Sequence, residues 1–257
     1  MNTERLELAP LLARRELWLL VSTAFVDPYH RQRFAMLRDA EFRRRVLGSA
    51  ALLAQEAPTI VLGPGEVQPK ELSPQRLFDA LEGAWPTVEA TYRQVFGITA
   101  TSGVCPACEV EYEPNPDITY RSQRWADIAG FYQAFGLQVS GRAGERLDHV
   151  SLQAEFLYVL LAKEAAALQE DSQEAAETCR EARRTFFAEH VGWWLPAFSR
   201  LLSRAAPEGF YQELAALTAS LSAAERDSLG LPPFQLRCVP RPAQDQALAD
   251  CSGCMSP

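Results

Sequence analysis

Along nearly the whole chain the apolar residues recur three and four positions apart, which lays them on one face of an α-helix, and no segment alternates as a strand requires. That periodicity predicts an all-α protein. In 11–26, Leu11, Leu12, Trp18, Leu19, Val21 and Phe25 trace one broad stripe, and Asp27-Pro28 ends it. Further helices are expected over 38–56, from the cap and first-turn pair Ser73-Pro74 to about Phe96 with Gly97 as the stop, and through "YRSQRWADIAGFYQAFGL", where Trp125, Ile128, Phe131, Tyr132 and Phe135 face inward. The pattern resumes over 149–169, with Asp148 as the expected N-cap and His149 in the first turn, and continues over 173–188, from Pro196, and over 208–221.

The punctuation between these segments suggests the organisation. "APTIVLGPGEVQPKELSP" carries four prolines and two glycines and reads as a loop; Gly63-Pro64-Gly65 is not a phosphate-binding loop, because no strand precedes it and no Gly-Lys-Ser/Thr follows. Residues 98–117 form an irregular stretch. The polar segment around 138–148, with Gly141 and Gly144, reads as a hinge between two closely associated helical lobes. Residues 232–257, with five prolines and three cysteines, read as an irregular tail. The expected division is therefore a helical domain over 1–231 and a cysteine-containing tail over 232–257.

Composition narrows the partners. A chain of 257 residues with 47% hydrophobic and 23% charged residues is that of a compact soluble protein. Its 25 Lys+Arg against 33 Asp+Glu give a formal charge of -8, a field that repels nucleic acid and attracts basic peptides. Arg14-Arg15 ahead of an apolar run imitates an export signal, but Glu16, Ser22 and Thr23 break it up, and no segment is apolar enough to insert in a membrane. The cytoplasm is the expected compartment.

Two Cys-x-x-Cys pairs stand out, Cys105 with Cys108 and Cys251 with Cys254. Four thiolates suit a structural zinc or an iron-sulfur cluster, provided that the tail folds back onto the loop; Cys238 is an alternative ligand, and a redox disulfide or free thiols are the other readings. Only His30, His149 and His190 are available for acid-base work, and none sits in a spacing that marks a nucleophile. Trp193-Trp194 and Phe131-Tyr132-Phe135 read as core. Glu109 and Glu111 read as an acidic lip for a basic ligand.

Four ordered blocks, "CPACEVEY", "WADIAGFYQAFGL", "ERLDHVSLQAEFL" and "FFAEHVGWWLPAFSRLL", resemble the TorD/DmsD family of cytosolic chaperones for molybdenum-containing redox enzymes, over about residues 10–222. The family's Glu-x-Pro-Asp-His pattern falls on Glu145, Asp148 and His149, with Leu147 in place of proline. Its Glu-Phe-Leu run falls on Glu155, Phe156 and Leu157, and its aromatic position in the first helix on Trp18. Cys105, Pro106, Glu109, Glu111 and Tyr112 match its loop, whereas Cys108 replaces a tyrosine. The resemblance implies a non-enzymatic protein that needs no cofactor of its own. It would bind the apo catalytic subunit of a molybdopterin oxidoreductase, and its twin-arginine leader, until the molybdenum cofactor is inserted, acting as a monomer or homodimer. The client-binding surface is expected around Glu145, Asp148, His149, Glu155, Trp18, Glu109, Glu111 and Tyr112.

Overall fold

The computed structural model describes residues 3–29, 31–82, 85–97, 103–115, 117–139 and 145–235. The helices run in the order α1 (Thr3–Ala24), α2 (Arg31–Ala35), α3 (Ala40–Glu56), α4 (Pro74–Leu81), α5 (Trp85–Phe96), α6 (Ile118–Ala134), α7 (Val150–Gln169), α8 (Gln173–Phe186), α9 (Leu195–Ala205) and α10 (Phe210–Ser228). A single antiparallel bridge is the only β-pairing among the described residues. The all-α expectation holds.

α7 is the central element because its sequence is apolar over more than one face, so that neighbours must cover it all round. Val150, Leu152, Phe156, Leu157, Leu160 and Leu161 are all buried. α1 lies along one side of it and α8 along another, while α3 covers the far side of α1. α9 and α10 pack together, with α4 against α10. The buried apolar side chains form one cluster that includes Trp18 of α1, Phe78 of α4, Phe96 of α5, Phe156 of α7, Phe186 of α8 and Phe198 of α9. Helices preceding and following the expected hinge thus share one core. The middle of that hinge, 140–144, lies outside the described residues.

Local grammar explains most of the boundaries. Asp39 accepts a hydrogen bond from Phe42 N at 2.7 Å, and Asp117 one from Thr119 N at 2.8 Å, each satisfying a donor left over at a helix start. Gly97 and Gly136 stop α5 and α6 in the left-handed conformation, at φ 77° and 76°. The single helix expected from Ser73 to Phe96 is two: α4 ends at Leu81, Glu82 is extended, and α5 starts at Trp85 with Pro86 in its first turn. Asp148 is not the cap of α7; His149 is, for its ring Nδ1 accepts from Ser151 N at 3.2 Å.

Buried charges are paired. Arg183 bridges Glu164 of α7 at 3.0 Å and Glu225 of α10, whose other oxygen accepts from the Trp18 indole at 3.2 Å. Arg226 holds Glu66 through two hydrogen bonds of 2.7 and 3.0 Å and the Val61 carbonyl at 2.7 Å, which pins the proline-rich loop to α10. The start of the expected tail also joins the body, as Phe234 packs on Phe187 with ring centroids 6.4 Å apart.

Candidate functional site

Two segments without regular structure meet at the N-terminal end of α7. One is 103–113, which ends in a 3-10 turn at Glu109–Tyr112; the other is 145–149. Backbone bonds join them, Glu109 N donating to the Asp148 carbonyl at 3.0 Å and Val150 N to the Ala107 carbonyl at 2.9 Å. Cys108 and His149 thereby face each other across the bridge. The loop that carries the first cysteine pair and the segment that carries Glu145, Asp148 and His149 are one site.

Arg146 holds the junction together. Its guanidinium grips the Asp148 carboxylate with two hydrogen bonds of 3.0 and 2.9 Å and reaches Glu111 at 2.9 Å, while its plane lies 5.0 Å from the centre of the Trp125 ring. Asp148, wholly buried, also accepts from Val110 N at 3.1 Å. A buried carboxylate needs such partners, and the two-pronged fork of arginine matches it. His149 is buried as well, and burial, with help from Arg146, pushes its pKa down to about 3, so the ring is neutral. Because Nδ1 accepts from Ser151 N, the proton sits on Nε2. That nitrogen has no hydrogen-bond partner, and Glu145 Oε2 stands 3.8 Å away.

A second polar cluster lies behind the loop. Glu109, fully buried, accepts from Gln153 Nε2 at 2.6 Å and the Trp193 indole at 3.3 Å, and its other neighbours are His190 Nδ1 at 3.4 Å and Arg124 at 3.6 Å. Burial raises the Glu109 pKa, with His190 and Arg124 opposing. The Tyr112 hydroxyl donates to the Pro106 carbonyl at 3.0 Å, and its ring packs 5.1 Å from that of Trp194.

The residues expected at a client-binding surface thus occupy different depths. Glu111 and Glu145 are partly exposed at the mouth, and Glu155 is half-buried on α7. Asp148, His149, Glu109 and Tyr112 stand directly beneath the mouth and shape it. Trp18 is in the core, bonded to Glu225 rather than to either segment. Arg146 and Trp125 belong to the junction, and Gln153 and His190 to the cluster behind it, without having been singled out for either. Arg146 stands inside the quoted "ERLDH" block, and its position between Glu145 and Asp148 is a signal that could have found it.

Cys105 and Cys108 are buried at this junction, whereas Cys179 is buried on α8. Burial pushes the Cys105 thiol up to about 12 and holds Cys108, beside Asp148, well above its usual range. The Cys105 thiol faces the Phe198 carbonyl at 3.9 Å. Among the described residues, no group of three metal-ligating side chains includes a cysteine. Cys238, Cys251 and Cys254 lie outside the described residues, and so does His30.

Comparisons with known proteins agree on one lineage. A family model described as nitrate reductase delta subunit matches residues 74–200, a span that contains both polar clusters. The chain is 31% identical over 144 residues, 56% of its length and 71% of the relative's, to the selenate reductase assembly chaperone protein of Thauera selenatis. It is 28% identical over 151 residues, 59% of its length and 75% of the relative's, to the chlorate reductase assembly chaperone protein of Ideonella dechloratans. A shorter match, 34% over 70 residues, covers 27% of the chain and 30% of the perchlorate reductase assembly chaperone protein of Dechloromonas aromatica. No solved structure matches.

Proposed function

We propose that this chain, which belongs to the TorD/DmsD family of molybdoenzyme-specific chaperones, holds the catalytic subunit of a molybdopterin oxidoreductase in a cofactor-free state until the cofactor is inserted. The likeness to assembly chaperones of selenate, chlorate and perchlorate reductases carries this reading and favours an oxyanion reductase as the client. The chain acts by binding, without turning over a substrate. Among the described residues no helix is long and apolar enough to cross a membrane.

The junction of 103–113 with 145–149 is the contact surface in this account. Glu111 and Glu145 present carboxylates at its mouth, complementary to the guanidinium groups of a twin-arginine leader. Beneath them the Nε2 proton of His149 has no acceptor, and a client carbonyl or carboxylate that displaced Glu145 would supply one. Arg146 and Asp148 do not meet the client; they hold the two segments in register.

The test is binding of a synthetic leader peptide with two arginines followed by an apolar run, measured by calorimetry. Glu111→Gln with Glu145→Gln should weaken binding and flatten its salt dependence. Unchanged affinity and salt slope would remove the junction from the leader site.

A further inference from the structure

Outside the proposed client surface, Asp127 of α6 meets Glu189 and His190 of the turn that follows α8, and one ligand atom from each lies within 4.8 Å of the other two. We propose that these three side chains form a binding site for a first-row divalent transition-metal ion.

The local backbone makes the meeting possible. Residues Phe187–Val191 form a π turn, closed by Gly192 N on the Phe187 carbonyl at 2.7 Å. Such a turn widens the helix by one residue and is often found at functional sites. Here it lets two consecutive side chains serve one place, Glu189 exposed and His190 fully buried. Arg124 fixes the turn from α6 by donating to the Glu189 carbonyl at 2.9 Å.

The orientation of His190 argues for a cation. Its Nδ1 faces Glu109 Oε1 at 3.4 Å, an oxygen that already accepts from the Trp193 indole at 3.3 Å, so Nδ1 carries the proton. In the neutral ring this leaves the Nε2 lone pair pointing outward at Asp127 Oδ2, 3.0 Å away. Two lone pairs at that distance repel unless a positive charge lies between them. A proton would serve, but so would a metal ion: two ligands about 2.1 Å from an ion and about 90° apart are themselves about 3.0 Å apart. A buried carboxylate that holds the far nitrogen of a metal-binding histidine is the common supporting arrangement at such centres, and Glu109 has that place. One imidazole and two carboxylates suit manganese, iron, cobalt, nickel or zinc better than magnesium or calcium. With three protein ligands, two of them exposed, the centre keeps open positions for water or for a donor group from a partner.

Manganese(II) is the probe of choice, because it discriminates against thiolates and so leaves the cysteines out of the measurement. Free Mn²⁺ is followed by electron paramagnetic resonance while the full-length protein is titrated. The expected result is saturable binding of one ion per chain. Asp127→Asn with Glu189→Gln, both at exposed positions, should weaken it by about tenfold or more, with the far-UV circular dichroism unchanged. Paramagnetic broadening of the His190 imidazole resonances by Mn²⁺ should accompany binding in the unsubstituted protein and be lost in the variant. Absence of saturable binding, or equal binding by the double variant, overturns the proposal and leaves the three side chains as a contact between α6 and the turn after α8.

Discussion

Replacing Arg146 by alanine is the sharpest probe of how the two segments are joined. The guanidinium gives Asp148 two charge-assisted hydrogen bonds, and Val110 N gives it a third. Each charge-assisted bond contributes about 1.5–3 kcal/mol, so the ceiling for the pair is about 3–6 kcal/mol. The Arg146 side chain is 30% exposed, and water can enter beside Asp148 once it is gone, which lowers the expected loss to about 2–3 kcal/mol. Arg146→Lys keeps the charge but not the fork, and should recover only part of the loss. In urea titrations Arg146→Ala should lower the midpoint with the slope unchanged, and in a cycle with Asp148→Asn the two losses should fall well short of additive. Glu82→Gln is the control: it breaks only the pair with Arg43, Glu82 is mostly exposed, and the loss should stay below about 1 kcal/mol. A loss below about 0.5 kcal/mol for Arg146→Ala, or additivity with Asp148→Asn, would refute the clamp.

Three further outcomes follow from buried groups. His149 is held at about 3 in the folded chain, against about 6.5 when unfolded, so below pH 6.5 the unfolded chain binds a proton that the folded one refuses. Stability should therefore be full above pH 6.5 and fall as pH drops toward 3, and His149→Asn, which keeps a capping side chain, should make that fall shallower in urea midpoints from pH 7.5 to 4.5. Arg183→Met removes the cation that bridges Glu164 and Glu225, leaving Arg14, 3.9 Å from Glu225, as the remaining positive charge, and should cost about 3 kcal/mol in the same titrations. Cys105 and Cys108 are buried thiols with raised pKa values, so native alkylation at neutral pH, mapped by mass spectrometry, should leave both unmodified until the chain unfolds.

The helices were legible because burial imposes a period. The stripe in α1, the caps Asp39 and Asp117 and the stops Gly97 and Gly136 are local signals that need no knowledge of the rest of the chain. Depth was not legible. Glu109 reads as a solvated acid in "CEVEYE", yet it is buried, because Gln153, Trp193 and Arg124 arrive from three other parts of the chain to satisfy it. Asp148 has the local grammar of an N-cap, and loses that place to His149 because Arg146 and Val110 N claim its carboxylate. Trp18 matches a family position but serves the core through Glu225. The π turn has no local signature, so the meeting of Glu189 and His190 with Asp127 could only come from the fold.

The most direct measurement is native mass spectrometry of the affinity-purified chain after co-expression with the catalytic subunit of an oxyanion-reducing molybdopterin enzyme. A stable complex with the molybdopterin-free subunit, dissociating when the cofactor is inserted, is the predicted result. Absence of a complex, or equal capture of the cofactor-free and cofactor-loaded subunits, would contradict the assignment of this chain as a maturation chaperone.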